Sequence, residues 1–554
     1  MSDTLTFTFD GRTITARPGQ SLAAALTDAG ILALREGPDE TPRGIFCGMG
    51  VCQDCLVEVD GRPNRRACMT KADSGQTVRT QSARPALEAR PASDISPETA
   101  TPDVLVIGGG AGGLSAAIAA ANAGADVLVL DERKVPGGQF FKQRGDGKPP
   151  LDRQQADGAA LFRRMRESGA RLLDACEVWG AFEGPVIYAD RDGSPVIVRP
   201  KALVVATGAY ERPRFIPGWD LPGVMTTGAA QTLWRSYGSL PGKRVAVFGN
   251  GPLNFQVADE LQSGGAKIVA VAEAAASASS SPGEALAMAL ASPELSARGL
   301  ATIARLRRNG VTIRYRTVPT RIEAVDGGLQ VTLEDASGRT TRLHADAVCM
   351  NFGFHPQNEI LRLLGAGFDY DARRGQLICR RTGNYETTVA GVFAIGDCCG
   401  LGGAPAAQEE GTIAGEAAAA MALGRATSPD AAAQARLARH RRFQKALWAV
   451  FAAPVQTYAE IAPEALVCRC EGITRADMDG PASEPGIEIG GVKRATRAGM
   501  GRCQGRYCAH VLAPRMADAL GRPMDERGYF APRVPVRPIA ISAVMAAEET
   551  QGGD

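Results

Sequence analysis

Apolar and polar residues alternate through 4–9 (TLTFTF), Asp10-Gly11 makes a turn, and Thr13–Ala16 resume the alternation, predicting two paired strands. Residues 21–29 (SLAAALTDA) switch to helical spacing, with Ser21 as N-cap and Gly30 as stop. LVEV at 56–59, a turn at Asp60-Gly61-Arg62-Pro63 and a last strand through Ala67–Met69 follow. Small strands packed on one helix predict a β-grasp unit over 1–82. Residues 83–102 hold Pro, Ala and Ser without periodicity, which predicts a linker.

From 103 the pattern becomes strand, glycine turn, helix, strand, the order of a parallel α/β domain. It occurs at DVLVIGGGAGG (103–113) and again at RVAVFGNGPLN (244–254). Two such openings predict one dinucleotide-type domain inserted into another: 103–214, an insert over 215–345, and a return over 346–424. That return closes with GVFAIGD (391–397) and a helix at 409–422. Residues 425–465 read as a helical connection and 466–520 as a second small domain. The tail, 521–554, should be extended through 529–544, where three prolines interrupt any helix.

Composition narrows the classes. At roughly 150 residues per domain, 554 residues allow three or four domains. A net charge of +2 gives no reason to expect nucleic acid. The polar, acidic start Met1–Asp10 has no signal-peptide character, and apolar stretches such as 114–130 fall short of the roughly 20 residues of a membrane span. A cytoplasmic chain is expected. The 65 glycines beside only 5% aromatic residues suit several close turns around a cofactor.

Eight of the 13 cysteines fall into two sets. In GIFCGMGVCQDC (44–55), Cys47, Cys52 and Cys55 have the C-x4-C-x2-C spacing of a plant-type 2Fe–2S loop, with Cys68 as the distant fourth ligand. Gly44, Gly48 and Gly50 let that backbone wrap closely and aim N–H groups at sulfur. Zinc is the alternative for four thiols, but structural zinc ordinarily uses two C-x2-4-C knuckles, and here three ligands share one loop. Residues 1–82 resemble the small ferredoxin-like domains of bacterial amine-oxidising complexes.

At the first α/β opening, VLVIG leads into Gly108-x-Gly110-x-x-Gly113, and the second strand, VLVLD, ends at Asp131. A carboxylate there accepts both ribose hydroxyls while the helix N-terminus holds the pyrophosphate. Glu132 is the reserve acceptor. The GGQ containing Gly138 and Gln139, the turn Ala206-Thr207-Gly208, and TTVAGVFAIGD with Gly396 and Asp397 resemble the two-dinucleotide flavoprotein superfamily. The resemblance implies FAD, with Asp397 on the ribityl chain. In the second opening, Gly249-x-Gly251-x-x-Asn254 puts Asn where a third glycine allows tight packing, and the next strand ends at Glu273. NAD(P), another retained adenine nucleotide, or no ligand all fit this crevice.

No unclustered cysteine has the C-x2-C or C-x4-C spacing of a disulfide reductase. Adjacent Cys398 and Cys399 seldom form an unstrained disulfide. His344, His355, His440 and His510 show no pairing with an acid or nucleophile, and only His355 lies in a segment expected near the flavin.

Cys468-x-Cys470 and Cys503-x4-Cys508 resemble the bacterioferritin-associated-ferredoxin-like 2Fe–2S domain, with zinc again the alternative. Lys493, Arg494, Arg497, Arg502 and Arg506 surround the second pair and favour thiolates. Taken together, the chain resembles the electron-transfer subunits of opine oxidases, hydrogen cyanide synthase and D-hydroxyproline dehydrogenase. That implies an α/β two-dinucleotide-binding-domain flavoprotein with an N-terminal β-grasp ferredoxin-like domain and a C-terminal small helical 2Fe–2S domain. It also implies a D-amino-acid-dehydrogenase-like flavoprotein partner that oxidises the amine, and a downstream electron acceptor. A stand-alone NAD(P)H reductase feeding a ferredoxin or oxygenase is the second reading, and a redox sensor without turnover the third. The stiff apolar tail, with Arg533, Pro535, Arg537 and Pro538, is expected to lie against the partner.

Overall fold

In the computed structural model, which describes residues 4–86, 96–427 and 430–549, the first alternating stretches pair antiparallel, Leu5–Phe9 with Arg12–Ala16. Phe7, Phe9, Ile14 and Ala16 share the buried face. The helix Leu22–Asp28 starts where Ser21 Oγ accepts from Ala24 N at 3.2 Å. Its Leu22 and Leu26 are fully buried, each contributing about 2 kcal/mol by leaving water. The sheet runs Arg12–Ala16, Leu5–Phe9, Thr77–Thr80, Leu56–Val59, Arg62–Arg66. The expected strand at Ala67–Met69 is instead a turn, with Met69 N and Thr70 N both donating to Arg66 O, and Thr77–Thr80 takes its place in the sheet. That turn brings Cys68 back to the cysteine loop.

The linker is shorter than expected. Glu98–Ala100 form a strand parallel to Ser194–Val198; residues 87–95 lie outside the described set. Beyond it a five-stranded parallel sheet runs Arg171–Leu173, Val127–Leu130, Val104–Ile107, Ala202–Val205, Val392–Ala394. Behind it the helices Ala111–Asn122 and Ala404–Ala422 pack backbone to backbone. A Cβ on Gly411 would lie 2.2 Å from Gly112 O, and one on Gly415 2.3 Å from Ala116 O.

The inserted domain has its own parallel sheet, in the order Val224–Thr226, Ala347–Asn351, Arg244–Gly249, Lys267–Glu273, Ile313–Tyr315. The boundary expected at 345/346 is therefore misplaced. Ala347–Asn351, buried throughout, pairs on both sides within the insert before the chain returns. The apolar run Ala347–Met350 carries no sign of which sheet it enters.

The connection contains the helix Ala431–Val450. The last domain is a short hairpin, Leu466–Cys468 with Ile473–Thr474, and the helices Arg475–Asp479, Ile489–Thr496 and Ala509–Ala519. The tail departs from expectation twice. Its extended part ends in a helix, Ile541–Glu549, and it folds back on its own chain. Val536 N donates to Trp179 O at 2.9 Å, and Ala547, Val544 and Ile539 pack with Trp179, Tyr188 and Ile197. No helix among the described residues is long and apolar enough to cross a membrane.

Candidate functional site

Gly108, at φ 108°, turns the chain out of its strand, and the helix begins at Ala111. A Cβ on Gly113 would lie 1.8 Å from Gly108 O, so glycine there permits the helix–strand contact behind the turn. Asp131 closes the turn from the next strand: Gly109 N donates to Oδ2 at 2.5 Å and Arg133 N to Oδ1 at 2.7 Å. Burial pushes the Asp131 carboxyl up to about 6, against the pull of those N–H groups.

The remaining residues of the motif converge on one cavity of about 490 Å³. Gly108, Gly110, Asp131, Glu132, Gly138, Gln139, Thr207, Gly208, Gly396 and Asp397 all line it, while Gly113 does not. A Cβ on Gly138 would stand 2.9 Å from Gly110 Cα, so the GGQ turn lies directly against the glycine loop. Asp397 Oδ1 accepts from Gly402 N and Gly403 N, both at 2.9 Å. Its other oxygen takes no hydrogen bond from the described residues, as a ribityl acceptor requires. These features fit an elongated dinucleotide.

Glu132, the reserve ribose acceptor, is engaged elsewhere. It pairs with Arg537 of the tail, which also reaches Glu177 at 2.9 Å. Arg66 of the first domain completes the group, 2.6 Å from Glu177. Arg537 is buried and lines the cavity; no periodicity or motif pointed to it. Lys142 was also missed. It is buried on the cavity wall, donates to Gln231 Oε1 at 2.7 Å, and burial pulls its ammonium down to about 7 while Glu211 opposes.

The second crevice is filled by its own chain. Glu273 Oε1 accepts from Asn250 Nδ2 and Ala275 N, both at 2.8 Å, and Oε2 from Gly251 N at 2.9 Å. Burial pushes this carboxyl up to about 7. Asn254 is fully buried: Thr227 Oγ1 donates to its Oδ1 at 2.8 Å, and its Nδ2 donates to Asn351 O at 3.1 Å. Asn250 Nδ2 also donates to Phe451 O at 2.8 Å, just past the connecting helix. Of the four candidate residues only Gly251 lines the cavity, beside Phe443, Leu447 and Trp448 of that helix; Gly249, Asn254 and Glu273 do not.

In the first cysteine loop, Gly48 (φ 60°) and Gly50 (φ 83°) turn the backbone so that N–H groups face sulfur. Cys52 N donates to Cys47 Sγ at 3.4 Å, and Cys68 N to Cys55 Sγ at 3.4 Å. Burial opposes ionisation of Cys47, yet the Cys52 thiol and the Met49, Val51 and Cys52 N–H groups bring it down to about 7. The thiols pair as Cys47 with Cys52 and Cys55 with Cys68. At the second set the pairs are Cys470 with Cys503 and Cys468 with Cys508. A Cβ on Gly501 would sit 2.1 Å from Cys470 Cβ, so glycine lets the two segments close. Among the described residues no three His, Cys, Asp or Glu side chains converge as one metal ion would require. Two thiolates per iron is the ligand set that a two-iron centre takes.

One buried donor fits an anionic group. Arg469 Nη1, within the second set, is buried with no hydrogen-bond partner among the described residues, whereas Arg506 Nε pairs with Glu359 at 2.9 Å. An anionic centre held by the thiolates would satisfy it. Of the five expected basic residues, Arg506 is buried, Arg497 pairs with Glu471 at 2.8 Å, and Lys493 lies over the Phe530 ring.

Of two other expectations, the one for the adjacent cysteines stands and the one for the histidines does not. Cys398 and Cys399 are buried free thiols 3.6 Å apart. The histidines are not all isolated: His355 and His510 stack with ring centroids 3.3 Å apart. Arg212 Nε donates to His355 Nε2 at 3.3 Å, and Tyr210 Oη lies 3.0 Å from His510 Nε2. His355 does not line the cavity. Burial pulls both imidazoles down, which keeps them neutral.

The fold and these sites define a two-dinucleotide flavoprotein joined to a ferredoxin-type domain. Residues 2–83 match the 2Fe-2S iron-sulfur cluster binding domain, 102–411 the pyridine nucleotide-disulphide oxidoreductases, and 463–549 the sarcosine oxidase A3 domain. An opine oxidase subunit of Rhizobium meliloti (strain 1021) is 32% identical over 80% of this chain and 98% of its own. Hydrogen cyanide synthase subunit HcnB of Pseudomonas aeruginosa is 31% identical over 79% and 97%. The L-proline dehydrogenase of P. horikoshii shares the fold, with TM-score 0.72, 19% identity and 98% of both chains covered. The chain belongs to the pyridine nucleotide-disulphide oxidoreductase family, in the group that holds these opine oxidase and hydrogen cyanide synthase subunits. It is an FAD-dependent oxidoreductase with a 2Fe–2S domain.

Asp131→Ala tests the cradle. It strands the Gly109 and Arg133 N–H groups, at about 1–3 kcal/mol for a buried group left unpaired, and removes the proposed ribose acceptor. FAD occupancy after dialysis is expected to fall well below that of the parent; full occupancy would refute the assignment.

Proposed function

We propose that this chain is the relay subunit of a multi-subunit amine, opine or D-amino/imino-acid dehydrogenase in the cytoplasm. A D-amino-acid-dehydrogenase-like flavoprotein subunit supplies the electrons, and they leave to a downstream acceptor through FAD and two 2Fe–2S clusters. Cys47, Cys52, Cys55 and Cys68 hold one cluster, and Cys468, Cys470, Cys503 and Cys508 the other. One observation carries the reading: Met49, inside the first cysteine loop, and Arg506, inside the second, both line the flavin cavity. Bound FAD supplies conversion between two-electron and one-electron transfer.

The residues support transfer, not substrate oxidation. Asp131 and Glu273 are each anchored by backbone N–H groups on both oxygens, and Glu132 and Glu177 are paired with Arg537. Glu132 of the cavity wall is held by Arg537, and Glu177, Glu273, His355 and His510 do not line the cavity. The isolated chain should show no amine oxidation with an artificial acceptor, and adding the co-purifying flavoprotein subunit should restore it. Turnover of an opine or cyclic amino acid by the chain alone would overturn the relay reading.

The insert's dinucleotide fold favours one second reading, an NAD(P)H-dependent reductase. Phe451 O and Asn250 close the crevice, and Glu273 is buried, tied to Asn250 Nδ2 and Gly251 N, and does not line the cavity. Micromolar NADH or NADPH is therefore expected to leave the flavin absorbance unchanged in stopped flow. Rapid, stoichiometric bleaching would promote the reductase.

A further inference from the structure

The two cysteine loops carry opposite charges at their centres. Asp54 lies between Cys52 and Cys55, and Arg469 between Cys468 and Cys470. The structure brings Arg469 Nε to 2.9 Å from Asp54 Oδ2, with the two side chains 5% and 2% exposed. Arg35 binds the other oxygen at 2.6 Å.

Aromatic rings make the second link. The Arg469 guanidinium lies 4.0 Å from the centroid of Phe46, the residue before Cys47, and 4.6 Å from that of Trp219. Phe46 meets Tyr507, the residue before Cys508, edge to face at 5.6 Å. Each thiol set thus touches the other through its nearest neighbours in sequence. The contact is buried, and one carboxylate faces two guanidiniums, which leaves spare positive charge between two sets of thiolates.

Packing alone does not account for this pair. A buried ion pair is seldom more stabilising than apolar residues of the same volume. Positive charge between two anionic centres has a specific consequence: it lowers the cost of adding an electron to either. We propose that Arg469 and Asp54 are positioning residues that hold the two cysteine loops together for direct one-electron exchange between the clusters, with Arg469 raising the potential of both. The proposal rests on the two-cluster reading above. In each exchange one centre is oxidised by one electron and the other reduced by one. No bond forms or breaks, and the amine substrate is the source of the electrons.

The test uses the full-length protein as purified, reduced with dithionite and followed by electron paramagnetic resonance. Iron and sulfide analysis first counts the clusters; one cluster per chain would end the two-cluster reading and this proposal together. With two present, the signals are expected to broaden or split each other, and Cys503→Ser should return the remaining signal to a simple spectrum. Two non-interacting signals would overturn the direct exchange while leaving the two-cluster reading intact. In redox titrations Arg469→Met should lower both midpoints, and Arg469→Lys should hold them near the parent. Asp54→Asn should move them the opposite way, since it unmasks Arg469, and it serves if Arg469→Met loses iron. Unchanged midpoints with iron retained, or shifts of the same sign in Arg469→Met and Asp54→Asn, would overturn the role of Arg469.

Discussion

Truncation after Gly528 is expected to cost the protein its flavin. The sequence suggests a tail available to a partner, but the structure seats it in the cavity wall. Arg537 is buried between Glu132 and Glu177. Gln504 Nε2 donates to Pro535 O at 2.8 Å and Arg506 Nη2 to Val536 O at 3.2 Å, which ties the tail to the second cysteine loop. Removing it leaves Glu132 without its cation and uncovers Trp179, Tyr188 and Ile197. Breaking a buried ion pair from one side costs about 3–5 kcal/mol, and opening an apolar wall adds to that. The ratio of FAD to chain after gel filtration should drop by more than half (about 3 kcal/mol weakens binding by over a hundredfold). Arg537→Met separates the charge from the packing and should lose part of the flavin. A truncated chain that keeps stoichiometric FAD would show that the tail only covers the cavity.

The second large effect is expected from Cys503→Ser. Its thiol pairs with Cys470 within the closed segment around Gly501, and serine is a poor thiolate substitute for iron. Iron should fall from about four to about two per chain, because one two-iron centre is lost. Cys52→Ser should remove the other and leave the first. The two variants should differ spectroscopically, since the first loop receives N–H groups at Cys47 and Cys55. Loss of all iron in both variants would mean that the sites assemble as one unit. Zinc in place of iron after anaerobic preparation would sink the cluster assignment.

Much of this was legible locally. The turn at Gly108, the partner carboxylate Asp131 and the C-x4-C-x2-C loop each depend on neighbours a few residues to a few dozen residues away. Backbone geometry and ligand spacing impose themselves there on the sequence directly. Ser21 as a cap and the buried alternation of Phe7 and Phe9 follow from helix and strand periods in the same way. The errors came where two local readings were equally good. Ala347–Met350 is an apolar run that fits either sheet, and Ala67–Met69 is a short apolar stretch that turns instead of extending.

What the sequence by itself determined was the set of parts: two thiol quartets, two dinucleotide openings, one linker, one tail. Their wiring was decided only by tertiary structure. Arg537 and Glu132 meet across 405 positions, and Asp54 meets Arg469 from opposite ends of the chain. Phe46, Tyr507 and Trp219 are ordinary apolar residues until they surround that ion pair. Such pairings have no period and no motif. They exist because burial makes an unpaired charge costly, so the fold must bring each buried charge a partner from wherever the chain happens to pass.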